Sequence, residues 1–173
     1  MQPIPIGLIG VGRHGSRYLH HLLTMETGGK LVAICRRNME EGLRLATECS
    51  LRFYPDYHDL IADSAIQAVL IVTPPSLNLP IALEAIQHGK AVLLEKPLAL
   101  NQSQGRKIAE SAAQANVPFM TAQTLRYEPA IRQLQGLAPY LGHWEYLSCA
   151  MRFETQPPSP EKNISWIHFG ALM

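Results

Sequence analysis

The chain has no paired cysteines, little charge and no long apolar run, and each shortage removes a class of function. Its three cysteines, Cys35, Cys49 and Cys149, are scattered with no Cys-x-x-Cys pair. That excludes a disulfide framework and a cysteine zinc site, and it points to a reducing cytoplasm. Lys and Arg number 15 against 14 Asp and Glu, a net +1 spread without blocks. Such a balance leaves no electrostatic footprint for nucleic acid or for an anionic membrane. No apolar run approaches the roughly 18 to 20 residues that cross a bilayer, and Met1-Gln2-Pro3-Ile4-Pro5 lacks the basic and apolar regions of a leader. Metal ligation is disfavoured too. His14 and His21 share a helix face but stand two turns apart, with no carboxylate or thiol at ligand spacing. Ser16, Ser76 and Cys35 lack the elbow or partner base of a nucleophile, which disfavours hydrolase chemistry.

Charged residues make up only 17% of the chain while 47% are apolar, against roughly 25% charged in an average soluble protein. Part of the surface is therefore expected to be covered by another polypeptide. Short β-branched apolar runs alternate with stretches of helical period, the pattern of a parallel sheet wrapped by crossover helices. The runs predict strands over 4–9, 31–35, 68–72, 91–94 and 119–121, with a short extra strand over 52–54. Their near-continuous apolarity fits strands buried on both faces. Tyr18, Leu19, Leu22 and Leu23 form one helical stripe, and Ile81, Ala82, Ala85 and Ile86 another. Asn38 followed by Glu41 reads as a capping box for a helix reaching Glu48, and Gly89 as a helix C-cap. A helix should follow Glu128-Pro129 as far as Gly136, and 146–153 reads as a strand outside the doubly wound pattern.

Gly10-Val11-Gly12-Arg13-His14-Gly15 fits G-x-G-x-x-G directly after a strand and at the opening of a helix. In that context Gly10 permits the tight turn, Gly12 lets the backbone approach a pyrophosphate, and Gly15 allows close helix packing. The helix N-terminus offers amide donors and partial positive charge to the anion. An acidic residue at the end of the second strand would select NAD by accepting from its ribose 2′-hydroxyl. Here Arg36 and Arg37 stand there, and a guanidinium can hold a 2′-phosphate in bidentate fashion. NADP is the preferred cofactor on these residues. NAD stays open, because Glu40 or Glu41 can reach its ribose.

The most specific stretch is Gly89-Lys90-Ala91-Val92-Leu93-Leu94-Glu95-Lys96-Pro97-Leu98-Ala99. It resembles the G-K-x-V-x-x-E-K-P motif of the glucose-fructose oxidoreductase and inositol dehydrogenase family, Gfo/Idh/MocA. The glycine turn, Thr73-Pro74-Pro75-Ser76 and Leu125-Arg126-Tyr127-Glu128-Pro129 are similar to further family segments in family order, so the resemblance spans the chain to about Pro129. It implies that Thr73, Pro74, Pro75, Glu95 and Pro97 border the cofactor, with Asn78 where the family often has histidine. It also implies a cis Lys96–Pro97 bond and contact of Lys96 with substrate and nicotinamide. Position supports the last point, since Lys96 follows a parallel strand on the sheet edge where open α/β sheets bind ligands. A partly desolvated lysine there can move the proton that accompanies hydride transfer. Arg126 and Tyr127 are candidates for the border of the substrate cleft.

The expected fold is thus a doubly wound parallel α/β sheet, an NAD(P)-binding Rossmann fold over 1–123. Residues 124–173 are then a linker helix and the first strand of a truncated α+β second domain. The resemblance implies an NAD(P)-dependent oxidoreductase acting on a hydroxyl or carbonyl of a sugar, cyclitol or similar small molecule. The alternative is a nucleotide-binding module without turnover: a sensor, a remnant, or half of a two-chain enzyme. The family's later aspartate and histidine have no counterpart, and His168 lies in surroundings that do not match. A strand over 146–153 without sheet partners would present an open edge. A homo-oligomer, or a second chain meeting the C-terminal segment, is expected on that ground.

Overall fold

A computed structural model of the chain describes residues 2–25, 28–143, 146 and 148. The chain divides into two compact units, Met1–Ile131 and Arg132–Met173. The first holds every element of the sheet. Its strands are β1 (Ile4–Ile9), β2 (Gly29–Cys35), β3 (Arg52–Tyr54), β4 (Ala68–Ile71), β5 (Ala91–Leu94) and β6 (Phe119–Thr121). Between them run α1 (Gly15–Thr24), α2 (Met39–Glu48), α3 (Tyr57–Ala62), α4 (Pro75–Gln87) and α5 (Gln102–Gln114). All strand pairs are parallel, in the order β3-β2-β1-β4-β5-β6. The order reverses between β1 and β4, the switch point at which open α/β sheets bind ligands.

The central strands β1, β2 and β4 bury both faces over their later residues, as their apolarity predicts, whereas the edge strand β6 leaves Met120 44% exposed. Leu8, Ile34 and Leu70 enter a core cluster with Leu19 of α1 and Ala46 of α2. Their neighbours Ile9, Ala33, Val69 and Ile71 enter the opposite cluster, with Ile61 of α3, Ile81 and Ala85 of α4, and Ile108 of α5. In the α1 stripe, Leu19 is buried while Tyr18 and Leu22 are partly buried, but Leu23 is 45% exposed. The stripe is therefore narrower than the sequence suggests.

Register places the site. Tyr54, Cys35, Ile9, Ile71, Leu94 and Thr121 form one row across the sheet. The next residues, Arg36, Gly10, Val72 and Glu95, still donate backbone N–H bonds to the preceding row at 2.8–3.3 Å. Arg36, the glycine turn and Glu95 thus leave the sheet from one line.

The structure differs from the sequence reading in several places. β2 begins at Gly29 because Gly29 and Lys30 pair with Ile4 and Pro5 of β1, so the neighbouring strand sets its length. Two helices carry little periodic signal. Within α3 there are only 6 residues, capped by Asp56, whose side chain accepts from the His58 N–H. α5 buries only Gly105, Ile108 and Ala112, a face too small to stand out in the sequence. Asn38 does cap α2 by accepting from the Glu41 N–H at 3.1 Å, but the Glu41 carboxylate pairs with Arg36. The return arm of a capping box is therefore directed elsewhere. Gly89 adopts φ +69 beyond the end of α4, as a helix-terminating glycine does. A further helix, α6, spans Pro129–Leu137. Apart from Tyr146 and Ser148, the strand expected over 146–153 lies outside the described residues, as do Cys149 and His168. No helix among the described residues is long and apolar enough to cross a membrane.

Candidate functional site

The three glycines of the turn differ in what surrounds them. At Gly10, with φ +94, a Cβ would stand 2.3 Å from the Val72 carbonyl oxygen, and at Gly15 it would stand 1.9 Å from the Gly10 carbonyl oxygen. Those two are glycine because the fold needs them to be. At Gly12 a Cβ would meet no protein atom beyond its chain neighbours within 4 Å, and Gly12 is not among the left-handed residues. Gly28 and Gly136 are equally open and also lack a positive φ, so what sets Gly12 apart is its place between β1 and α1 in the lining of the switch-point cleft. The first turn of α1 has no acidic residue, and its N-cap residue, His14, makes no side-chain capping bond. The Ser16 and Arg17 N–H groups bond to the Gly12 and His14 carbonyls at 2.9 and 3.0 Å, so an anion at this turn would meet the amides that precede Ser16.

A cleft of about 620 Å³ opens at the switch point, lined by Gly10, Val11, Gly12, Arg36, Arg37, Asn38, Tyr57, Thr73, Pro74 and Leu77 among others. At its β2 end, Arg36 donates from Nη1 to the Val11 carbonyl at 2.6 Å and pairs through Nη2 with Glu41. Arg37 also lines this end. Cys35, in the same wall, is buried. Burial, with the charges of Asp56 and Asp59 behind it, pushes its thiol up to about 12.

The end of β5 is built differently. Glu95 is 7% exposed, yet it is ionic in its contacts. Oε1 accepts from the Tyr18 hydroxyl at 2.6 Å and lies 2.7 Å from His14 Nε2, while Oε2 accepts from the Lys96 N–H at 2.8 Å. Burial pushes the Glu95 carboxyl up, but the Tyr18 and His14 hydrogen bonds, the His14 charge and the Lys96 N–H together hold it below the usual carboxylate range. The same contact raises the Tyr18 phenol, for which burial is the larger cause and Glu95 the second. Lys96 follows with an exposed side chain, and the Lys96–Pro97 bond is cis. Asn78 is 1% exposed. Its Nδ2 donates to the Pro97 carbonyl at 2.8 Å, and its Oδ1 accepts from Thr73 Oγ1 at 3.2 Å.

Of the residues singled out in the sequence, Gly10, Gly12, Arg36, Arg37, Thr73 and Pro74 line one cleft. Arg13, His14, Gly15, Pro75, Asn78, Glu95, Lys96 and Pro97 are not in its lining. Pro75 opens α4, and the rest frame the glycine turn or the β5 end. Arg126 and Tyr127 lie in the short helical turn Thr124–Tyr127 that follows β6. Both are exposed, and the Tyr127 hydroxyl donates to the Met120 sulfur at 3.4 Å.

The model of the Gfo/Idh/MocA oxidoreductase family, with its NAD-binding Rossmann fold, matches residues 4–123. The chain belongs to this family. An inositol 2-dehydrogenase of Rubrobacter xylanophilus is 28% identical over 127 residues, covering 73% of this chain and 37% of that protein. An inositol 2-dehydrogenase/D-chiro-inositol 3-dehydrogenase of Halalkalibacterium halodurans is 33% identical over 170 residues, 93% of this chain and 46% of that one. Among solved structures, scyllo-inositol dehydrogenase from Lactobacillus casei with bound NAD(H) and scyllo-inositol aligns with a TM-score of 0.73 at 26% identity. That alignment covers 80% of this chain and 41% of the other. The chain spans under half the length of each of these relatives.

Two residues of this Gfo/Idh/MocA chain have roles that sequence patterning hides, Tyr18 at the site and Lys90 at the opposite edge of the sheet. Tyr18 reads as one member of a helix stripe, although it is the stripe's only side chain with a polar tip. It stands four residues after His14, at 5.6 Å between ring centroids in an edge-on contact. Lys90, inside the family's G-K-x-V motif, is 5% exposed and donates to the Asp63 and Ile66 carbonyls at 2.9 and 2.7 Å. It ties the loop before β4 to the start of β5. Burial lowers its ammonium, against the opposing charge of Asp63.

Proposed function

We propose that this chain holds a nicotinamide dinucleotide across its switch point, NADP in preference to NAD, and supplies the proton-handling group of a cyclitol or sugar oxidoreductase. The observation that carries the reading is Gly12, a glycine with open space over it at the mouth of α1. Close backbone approach to a diphosphate is a sufficient reason for it. In this reading the amides around Gly12, Arg13 and His14 receive the diphosphate, and Arg36 and Arg37 face a 2′-phosphate. Thr73 and Pro74 form the opposite wall, with Pro75 behind them at the start of α4. The nicotinamide supplies or accepts the hydride.

Lys96 gives a proton to the substrate oxygen as it is reduced, or takes one from it as it is oxidised. Its side chain is exposed in this chain, so the desolvation that suits a proton donor comes from the ring and substrate packed against it. Glu95 and Asn78 are positioning residues, one fixing the Lys96 N–H and the other the Pro97 carbonyl. Arg126 and Tyr127 border the substrate. Residues 1–123 form the nucleotide domain and 124–173 the start of a second. The exposed Leu137, Tyr140 and Leu141 support a partner chain there, either another copy or the remainder of a two-chain enzyme. A reducing cytoplasm suits the scattered thiols.

The coverage of under half of each relative favours one further reading, a dinucleotide-binding module without turnover. Incubation of the chain with NADP or NAD and a panel of inositols and sugars, followed by nicotinamide absorbance, separates the two. The enzyme reading expects turnover, lowered about 10²- to 10⁴-fold by Lys96→Met, the range of a lost general acid–base. Turnover untouched by that substitution removes Lys96 from the role. Tight dinucleotide binding with no turnover selects the module.

A further inference from the structure

At the ribose end of the cleft one cation has two masters. The Arg36 guanidinium donates to the Val11 carbonyl in the glycine turn and pairs with Glu41 in the first turn of α2. A guanidinium has five N–H donors in a fixed fork. The carbonyl bond leaves most of that fork available, but a carboxylate and a phosphate compete for the same bidentate face. Side-chain exposure is 22% for Arg36 and 40% for Glu41; Arg36 lines the cleft, and Glu41, which is outside the lining, acts on it through this ion pair.

The other charged groups here are differently placed. Asp56 spends a carboxylate oxygen on the His58 N–H, and Arg37 lines the cleft beside Arg36. Asn38 holds the backbone N–H of Glu41, not its carboxylate, so the side chain of Glu41 is not needed for that cap.

We infer that Glu41 is the specificity-determining residue for the dinucleotide. Its carboxylate rivals a 2′-phosphate for Arg36 and repels that phosphate, while offering a ribose 2′-hydroxyl an acceptor. The two arginines alone would make a strongly NADP-selective cleft, and Glu41 pulls the preference back toward NAD. This inference rests on the dinucleotide reading of the cleft.

The test is calorimetric titration of NADPH and NADH into the 173-residue chain and its Glu41→Gln variant, each checked by thermal melting. Removing the charge should raise the ratio of the NADH to the NADPH dissociation constant about tenfold. Tighter NADPH binding should account for most of the change. Glu41→Ala must move the ratio in the same direction. An unmoved ratio, or weaker NADPH binding in both variants, overturns the inference; the second result would mean that Glu41 merely holds Arg36 in place. A parent chain that binds neither nucleotide overturns the dinucleotide reading and this inference with it, whereas a binding parent with an unmoved ratio overturns the role of Glu41 alone.

Discussion

The two ends of the cleft are built on opposite principles. At the β2 end, Arg36 and Glu41 form an ion pair between partly exposed side chains. At the β5 end, Glu95 is buried and accepts from helix α1 and from its own turn. An exposed pair is cheap to break, and the net worth of such pairs is about 0–1 kcal/mol. A buried carboxylate with several donors is costly to disturb, because its removal strands the donors. The contrast suits the proposed work: one end adapts to the ribose it is given, while the other holds a lysine in one place.

The largest expected effect is on the buried end. Glu95→Ala leaves the Tyr18 hydroxyl and the Lys96 N–H without their acceptor and should cost about 3 kcal/mol in urea unfolding at neutral pH. Because the folded protein holds the Glu95 carboxyl below its usual range, its contribution is complete above the ordinary carboxylate pKa of about 4.3. It is lost as pH falls through the lower, folded value. The gap between parent and variant should therefore close in acid. A loss under about 1 kcal/mol, within the range of exposed pairs, would erase the contrast between the two ends.

Tyr18→Phe sharpens the same comparison at smaller cost, about 2 kcal/mol for one hydrogen bond to a charged acceptor. It should also let the Glu95 carboxyl titrate nearer its ordinary range, visible as an acid unfolding limb moved to higher pH. An unmoved limb would assign the low carboxyl to His14 and the Lys96 N–H alone. Smallest of all is the effect of the Glu41→Gln variant on the fold, expected within about 0.5 kcal/mol, since that charge is spent on ligand choice.

The same division explains what was legible in the sequence. The β2 end is local: Arg36 meets Glu41 five residues on, and the glycine turn announces its own geometry. Strand runs, the 52–54 strand and the Asn38 cap could be read because each is written within a few consecutive residues. The Glu95 cluster joins residues 77 and 81 positions apart, and no periodicity connects Tyr18 with the end of β5. Asn78 stands where the family resemblance puts a cofactor contact, but its bonds to Thr73 and Pro97 exist only once β4 and β5 are side by side. Likewise α5 hides because a helix packing through Gly105 and Ala112 has little to show in hydropathy.

Gly12 remains the residue on which the account stands, and Gly12→Ala is its most direct trial. With no protein atom beyond its chain neighbours within 4 Å of the added methyl, melting should be unchanged. Titration with NADPH and NADH should both show affinity at least about tenfold weaker, roughly 1.4 kcal/mol, because the methyl occupies the diphosphate's approach. Unaltered affinity for both nucleotides in a fully folded variant would contradict the placement of a diphosphate on this turn.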